Sequence, residues 1–526
     1  MSEIKYKVTI GLEVHAELAT KTKMFCNSKN DPDEKRPNVN ICPICMAHPG
    51  TLPVANMQAI KNVLFLGAAV GGKLATVVHF DRKHYFYPDI PKGYQLSQYD
   101  KPLVSGGELA GVKLRRVHIE EDTARSIHDQ GLNRSEGSIG RSDSQSESDL
   151  GETSLVDFNR AGVPLMELVT EPVIHDAETA VRFAKELQLL LTTLGIAEAN
   201  MEKGEMRVEA NISVLKDETF GLNQSALSGL IGPRATALGL ARTGLSDKPV
   251  LGTKVEVKNL NSFRAVERAI KYEVERHIDA LESGEKLVQE TRGWNDAKQA
   301  TYSQRSKEDS HDYRYFPDPD LPPIDLAGMS DFSEAWLKAN LPELPIAKRA
   351  RLVEQFGIKQ GDAELYVLNP DIGKFFEEVA GKLKNQKKSV LLASNYIASD
   401  LIGLRKQQDV ESFGEVNPSA FSKLISMNEA GDLSSRGVKD ILAIMFVSGG
   451  EPAEIAKKHG LLQQHDEGVL RGAVQEVIDA NPNAVAEYMG GKEASLQFLV
   501  GQGMKATKGA ANPTVLKSLL IDLLKK

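Results

Sequence analysis

The feature that most constrains this chain is a change of hydrophobic period along its length. Up to about Pro323 apolar residues alternate with polar ones in short runs. From about Pro342 they recur at helical spacing and strand-like alternation nearly disappears. Period 2 belongs to half-buried strands and period 3.6 to amphipathic helices, so a sheet-centred part must precede a helical one. A chain of 526 residues has room for roughly two to four domains. We therefore expect an α+β fold. Residues 1–340 should form a mixed or antiparallel β domain with flanking helices, 341–450 a helical domain, and 451–526 a small helical tail. Residues 129–152 are rich in Ser, Gly, Asp and Glu and read as a loop; residues 216–251 read as a second insertion.

Two helices are expected to flank the sheet. Asp176 is placed to cap one, with Val181, Ala184, Leu187, Leu191 and Leu194 at helical spacing before Gly195. The other starts at Asn261-Ser262, buries Phe263, Val266, Ile270, Val274 and Leu281, and stops at Ser283-Gly284.

The strands carry the chemistry. In Val8–Leu18 the residues Ile10, Leu12, Val14, Ala16 and Leu18 share one face, which puts Gly11, Glu13, His15 and Glu17 on the other. His118 and Glu120 alternate with Val117 and Ile119, and Glu121-Asp122 follow. Arg207, Glu209 and Asn211 alternate with Met206, Val208, Ala210 and Ile212; Lys254, Glu256 and Lys258 alternate with Val255 and Val257. A solvated outer face explains any one of these strands. Together they offer carboxylates and a histidine for a hard cation, and Lys and Arg for phosphate, as phosphoryl transfer requires.

All three cysteines lie in the first tenth of the chain, at Cys26, Cys42 and Cys45. That rules out a disulfide scaffold. A C-x-x-C pair plus a distant thiol is three-quarters of a structural zinc site, with His48, Asp31 or Asp33 as fourth donor; reduced thiols without metal are the alternative. The net charge of −8 argues against polyanion binding by the whole surface, although Lys492, Lys505, Lys508, Lys517, Lys525 and Lys526 make the last segment basic. With no bilayer-length apolar run and no signal-like start, the expected location is the cytoplasm, with no membrane partner.

Long motifs spread over the chain resemble the B subunit of the aspartyl/glutamyl-tRNA amidotransferase. They include Ile10-Gly-Leu-Glu-Val-His15, Phe80-Asp-Arg-Lys-His-Tyr-Phe-Tyr-Pro-Asp89, Pro91-Lys-Gly-Tyr-Gln-Leu-Ser-Gln98 and His118-Ile-Glu-Glu-Asp122. Further on stand Leu155-Val-Asp-Phe-Asn-Arg-Ala-Gly-Val-Pro164, Lys254-Val-Glu-Val-Lys-Asn-Leu-Asn-Ser-Phe263, His311-Asp-Tyr-Arg-Tyr-Phe-Pro317, Phe498-Leu-Val-Gly-Gln502 and Met504-Lys-Ala-Thr-Lys-Gly509. They run in the family's order from Ile10 to the last helix, which makes them far more specific than any lone short pattern.

The resemblance implies a cradle-like catalytic domain, a helical domain and a tail that grips tRNA. It implies ATP- and Mg2+-dependent phosphorylation of the side-chain carboxylate of Glu-tRNA(Gln) or Asp-tRNA(Asn), followed by amidation with ammonia. By motif match, Glu13, His15, Glu120 and Glu121 are expected at the metal, with Lys254 among the catalytic residues. Lys83, Arg160 and Lys258 are expected on ATP phosphates or the tRNA 3′ end, and Lys505, Lys508 and Gly509 on tRNA. For the basic residues of the cradle the structural alternative is an internal salt bridge. Gly501, Gly503 and Gly509 would permit close backbone approach. Tyr85, Phe86, Tyr87 and Tyr94 could meet a base or ribose, with Phe86 leaning towards the core. The chain offers no glutaminase nucleophile, so an amidase-like A subunit and a small C subunit are the implied partners. Lys92, Glu167, Arg305, Asp312 and Arg314 are candidates for an ammonia channel. Glu209 departs from the family pattern, where Asp is usual before Ala-Asn-Ile-Ser. A tRNA-binding scaffold without kinase chemistry is the competing reading.

Overall fold

The computed structural model describes residues 5–128, 154–217, 251–306, 314–410, 412–463, 467–507 and 511–525. Most of both expected insertions, together with Asp312, Lys508 and Gly509, lie outside the described residues. The chain forms two compact units, Met1–Leu344 and Pro345–Lys526.

The elements of the first unit that position the site are, in chain order, β1 (Lys5–Glu17), α1 (Met57–Ala69), β2 (Asp81–His84), β3 (Tyr94–Ser97), β4 (Val112–Glu121) and β5 (Pro164–Thr170). Then follow α2 (Ala177–Thr193), β6 (Met206–Asp217), β7 (Lys254–Leu260), α3 (Phe263–Ser283), β8 (Glu290–Asn295), β9 (Ala300–Ser306) and β10 (Tyr315–Pro317). Seven of them line up as β9-β8-β7-β6-β1-β5-β4, and short strands at 104–105 and 73–74 extend the sheet beyond β4. Pairing along these seven is antiparallel except between β7 and β8. β10, β2 and β3 form a separate three-stranded sheet. The architecture is the mixed α+β arrangement read from the sequence.

Register follows from which face is buried. Ile10, Leu12, Val14 and Ala16 of β1 are fully buried, as are Val208, Ala210 and Ile212 of β6 and Val255 and Val257 of β7. Each buried Ile, Leu or Val is worth roughly 1.5–3 kcal/mol, and a slip of one residue would turn all of them to the opposite face. The helices cover this apolar face: α3 packs on β6, α2 on α3 and β1, and α1 on β4.

Both expected helices form. Asp176 caps α2 by accepting from the Thr179 amide, and Ser262 caps α3 by accepting from the Ala265 amide. Gly284 ends α3 at φ 76°, a left-handed conformation that glycine adopts without strain. The buried stripe of α3 also includes Glu273 and His277, which periodicity alone did not mark.

Among the described residues the second unit contains helices and no strand, from Pro345–Phe356 to Pro513–Leu524. Leu470, Val474, Leu499, Leu516 and Leu520 form a cluster of their own near its end. The close approach permitted by Gly503 is internal: a Cβ there would lie 3.3 Å from the Leu516 side chain.

Candidate active site

Hydrogen-bond register lays one polar row across the face of the sheet opposite the helices. Arg207 on β6 opposes His15 on β1, His15 opposes Glu167 on β5, and Glu167 opposes His118 on β4. Neighbouring rows on the same face bring Glu209 beside Glu13, and Glu120 level with Glu17 across Leu165. Antiparallel pairing therefore unites side chains drawn from four strands and some two hundred residues of sequence.

Glu167 is the hub. Its Oε2 lies 3.4 Å from His15 Nε2 and 3.4 Å from His118 Nε2. Glu120 lies 3.7 Å from His15 Nε2 and accepts from Ser97 Oγ at 3.1 Å. Arg116 donates to His118 Nδ1 and to Glu167, each at 3.4 Å. A donor on Nδ1 leaves the His118 proton on Nε2, the atom that faces Glu167. On the β6–β7 side, Lys258 Nζ lies 2.9 Å from Glu209 and 3.8 Å from Glu256.

Among the described residues three carboxylate groupings are close enough to share a cation: Glu13–His15–Glu167, His118–Glu120–Glu167 and Glu13–Glu209–Glu256. Burial and the charges of Glu167 and Glu209 raise Glu13 to about 7, although His15 and Lys258 pull the other way. Burial disfavours a charged His15, but Glu167, Glu120 and Glu209 outweigh it and hold His15 up at about 9. Burial likewise opposes charge on Glu167, yet the two histidines keep it well below the ordinary carboxylate range. For Lys83, the charges of Glu120, Tyr315 and Glu167 outweigh burial and raise its pKa. Glu13 is thus a carboxylate of this face whose charge the surrounding cations do not fully support. Asn211 Oδ1, on the same face, is buried and accepts no hydrogen bond. Carboxylate oxygens and an unsatisfied amide oxygen are the donor set of a hard, oxygen-seeking cation such as Mg2+, and the residues fit that group.

The structure brings Glu13, His15 and Glu120 together and sets Glu121 apart. Consecutive strand residues point to opposite faces, and Glu121 turns away to pair with Lys92 and to accept from the Leu96 amide at 3.0 Å. Lys254 is exposed and pairs with Ser213, four positions along the sheet from Glu209, or about 13 Å at the rise of a strand. Arg160 donates to the carbonyls of Thr123 (3.0 Å) and Ala124 (3.1 Å), which ties down the loop after β4. It shares Asp122 with Arg207, whose Nη2 lies 2.8 Å away. Burial raises Glu17 to about 8, helped by the negative charge of Asp122. Phe86 is a correction: it is 87% exposed, not core. Tyr94 lies under the Arg82 guanidinium, 4.4 Å from ring centroid to carbon. Lys505 is exposed in the last turn of the helix Glu493–Ala506.

Glu167 and His118 were the residues least visible as site members in the sequence. Glu167 stands as the one acid inside the otherwise apolar run Leu165-Met-Glu-Leu-Val169, and that isolation is the signal that marks it.

The thiols of Cys26, Cys42 and Cys45 gather at one point, and Cys45 lies beside Gly162, near the Glu121 end of β4. A closed zinc site needs four donors. Among the described residues no His, Asp or Glu joins the three thiols: His48 is exposed, Asp31 pairs with Lys29 and Asp33 with Lys203. The residues present do not complete a structural zinc centre.

A sheet presenting this row of histidines and carboxylates is a GatB/GatE catalytic domain: residues 8–227 and 240–330 match that family, residues 374–524 match the GatB domain, and the chain belongs to the family. It is 37% identical to the B subunit of the aspartyl/glutamyl-tRNA(Asn/Gln) amidotransferase from Carboxydothermus hydrogenoformans, over 99% of both chains. It is 39% identical to the protein of the same name from Thermomicrobium roseum, again over 99% of each. The corresponding protein of Gloeothece citriformis is 37% identical over 98% of this chain and 97% of the relative.

Proposed function

We propose that this chain is the subunit of a tRNA-dependent amidotransferase that activates the side-chain carboxylate of Glu or Asp on a misacylated tRNA, using ATP. The observation that carries this is the grouping of carboxylates with His15 and Glu167 on one face of the sheet, bordered by Lys83 and Lys258. A carboxylate is a poor electrophile; an acyl phosphate gives ammonia a leaving group to displace.

Glu13, Glu209 and Glu256 on one side of the row, and Glu120 with His118 and Glu167 on the other, are the groups that would hold Mg2+. Bound there, the ion would neutralise phosphate charge and align the attacking carboxylate. Glu167 fixes both imidazoles. Lys258 is held by Glu209 and Glu256 and would exchange these partners for phosphate oxygens. Lys83, whose positive charge the neighbouring acids reinforce, supplies a second cation. Arg160 and Arg207 keep the loop after β4 in place through Asp122.

The tail over 451–526 would contact the tRNA backbone, with Lys505, Lys508 and Gly509 on that surface. An amidase-like glutaminase and a small third protein would complete a cytoplasmic heterotrimer. Lys92 and Arg314 remain candidates for the ammonia path. No helix among the described residues is long and apolar enough to cross a membrane.

The test is reconstitution with the two partner proteins, ATP, Mg2+, glutamine and either Glu-tRNA(Gln) or Asp-tRNA(Asn). tRNA-dependent ADP release and amidated aminoacyl-tRNA should both appear and both vanish in Glu120→Gln, while tRNA affinity is retained. Tight tRNA binding with no ADP from either substrate would leave the scaffold reading in its place.

A further inference from the structure

The cysteine cluster has a fourth member that is not a metal ligand. Lys23 is 0% exposed, and its Nζ lies 3.9 Å from Cys45 Sγ and donates to the Phe158 carbonyl at 3.1 Å. A buried ammonium needs negative partners, and the three thiols and Asp157 are the groups that favour its charge. Cys45 Sγ also receives the Cys42 amide at 3.1 Å and lies 3.9 Å from both Cys42 Sγ and Ser28 Oγ. The Lys23 ammonium and the Cys42 amide favour a thiolate at Cys45, whereas the Cys42 carbonyl, 3.5 Å from the same sulfur, favours the thiol. Serine is not among the usual zinc donors, so the hydroxyl of Ser28 does not supply the missing ligand.

The same thiol is reachable. Cys26 and Cys45 line a cavity of 210 Å³ whose wall also includes His48, Thr51, Lys92 and Glu121. Cys42 is half-buried on the turn that carries the C-x-x-C pair. A stabilised thiolate in a small-molecule cavity, with a second thiol three residues away, is the arrangement of an exchangeable dithiol rather than of a structural metal.

We propose that Cys42 and Cys45 form a metal-free, reversible dithiol whose reaction partner is a small-molecule disulfide, with Lys23 supplying the positive charge that a metal would otherwise provide. The Cys45 thiolate attacks one sulfur of the small disulfide, forming a mixed disulfide and releasing one thiolate. The Cys42 thiol then attacks Cys45 Sγ. The protein disulfide forms, the second small thiol departs, and the Cys42 proton leaves with it. Two protein thiols are oxidised and one small disulfide is reduced to two thiols.

The experiment uses the full chain purified with its partner proteins, without added metal or chelator. Zinc is counted by elemental analysis. Free thiols are then counted by alkylation and mass spectrometry after incubation with oxidised glutathione, and again after dithiothreitol. The expected result is far less than one zinc per chain, loss of two of the three thiols with loss of two hydrogens, and full recovery on reduction. Cys42→Ser should stop at the glutathione mixed disulfide on Cys45, whereas Cys26→Ser should still close the internal bond. One zinc per chain that persists through gel filtration, or three thiols unchanged by oxidised glutathione, would overturn the proposal. Because Lys23→Met could fail to fold, the serine variants carry the test.

Discussion

Two buried charge clusters in the first unit, one around Glu167 and one around Glu273, use the same residue types to opposite ends. Glu273 on α3 is fully buried. It takes Arg276 Nη2 at 2.8 Å, Arg292 Nε at 3.1 Å and the Thr301 hydroxyl, with His277 Nε2 at 3.5 Å. Burial opposes its charge, but His277, Arg276 and Thr301 outweigh this and hold Glu273 at about 2. One carboxylate faces two guanidiniums, and the pairing ties α3 to β8 and β9. Against burial, Glu167 too is held low by His118 and His15, but its neighbour Glu13 is not. Burial and the charges of Glu167 and Glu209 push Glu13 up to about 7, and the surrounding carboxylates outweigh burial and hold His15 at about 9. A carboxylate matched by two guanidiniums holds elements together, whereas a buried carboxylate without such partners, as Glu13 is, marks a place that can receive a cation.

The sharpest way to break this contrast is to neutralise one carboxylate in each cluster. Glu120→Gln should cut tRNA-dependent ADP formation by about 10³-fold, the scale of losing a group that stabilises transferring charge. Its melting temperature should stay near that of the parent. Glu273→Ala should do the reverse, costing about 3–5 kcal/mol in denaturant unfolding because two buried guanidiniums lose their partner. Activity per folded molecule should hardly change. A stable, inactive Glu273→Ala or an unfolded Glu120→Gln would dissolve the distinction.

Acid should separate the clusters as well. Glu273 moves from 4.5 to about 2 on folding, so its contribution is complete above 4.5 and is lost as the pH falls towards 2. That contribution is worth about 3 kcal/mol. Glu273→Gln should flatten the fall in stability over this window, measured by urea unfolding at several pH values. Glu13 shifts the other way: its raised pKa favours folding below 4.5, and the advantage is lost as the pH rises through 7. Cation binding at the active-site face should therefore release protons and tighten from about pH 6 to about pH 8. Calorimetry with Mn2+ in buffers of different ionisation enthalpy measures this directly.

Smaller effects follow. Glu167→Gln should weaken Mn2+ binding by about 10–100-fold, the usual scale for a residue that orients ligands. An unchanged affinity would remove Glu167 from its place as hub. Lys505→Ala should lower tRNA affinity only a few-fold and reduce the salt dependence by about one counterion, read from binding at several salt concentrations.

Much of this was legible in the chain. Alternation over Val8–Leu18 showed which residues of β1 face the apolar core and which the polar side, and Asp176, Ser262 and Gly284 marked helix ends, because period and capping are local properties. The pairing of Glu121 with Lys92 was not legible, since adjacency in sequence places Glu120 and Glu121 on opposite faces only once the strand is paired. Phe86 misled for a related reason: an aromatic residue in a motif reads as core until the loop that carries it is seen to project. Lys23 gave no signal at all, as lysines are common and only burial makes one unusual.

The sequence by itself determined the division into a sheet-centred and a helical part, the polar face of each strand, and the family. Those depend on the order of side chains along one strand or helix. Only the tertiary structure decided that His15, His118, Glu120 and Glu167 share one point, that Arg160 ties a loop, and that Lys23 sits among three thiols. Strand register and the packing of distant segments set these contacts, and the free energy that selects them comes from the apolar face beneath rather than from the polar residues brought together above.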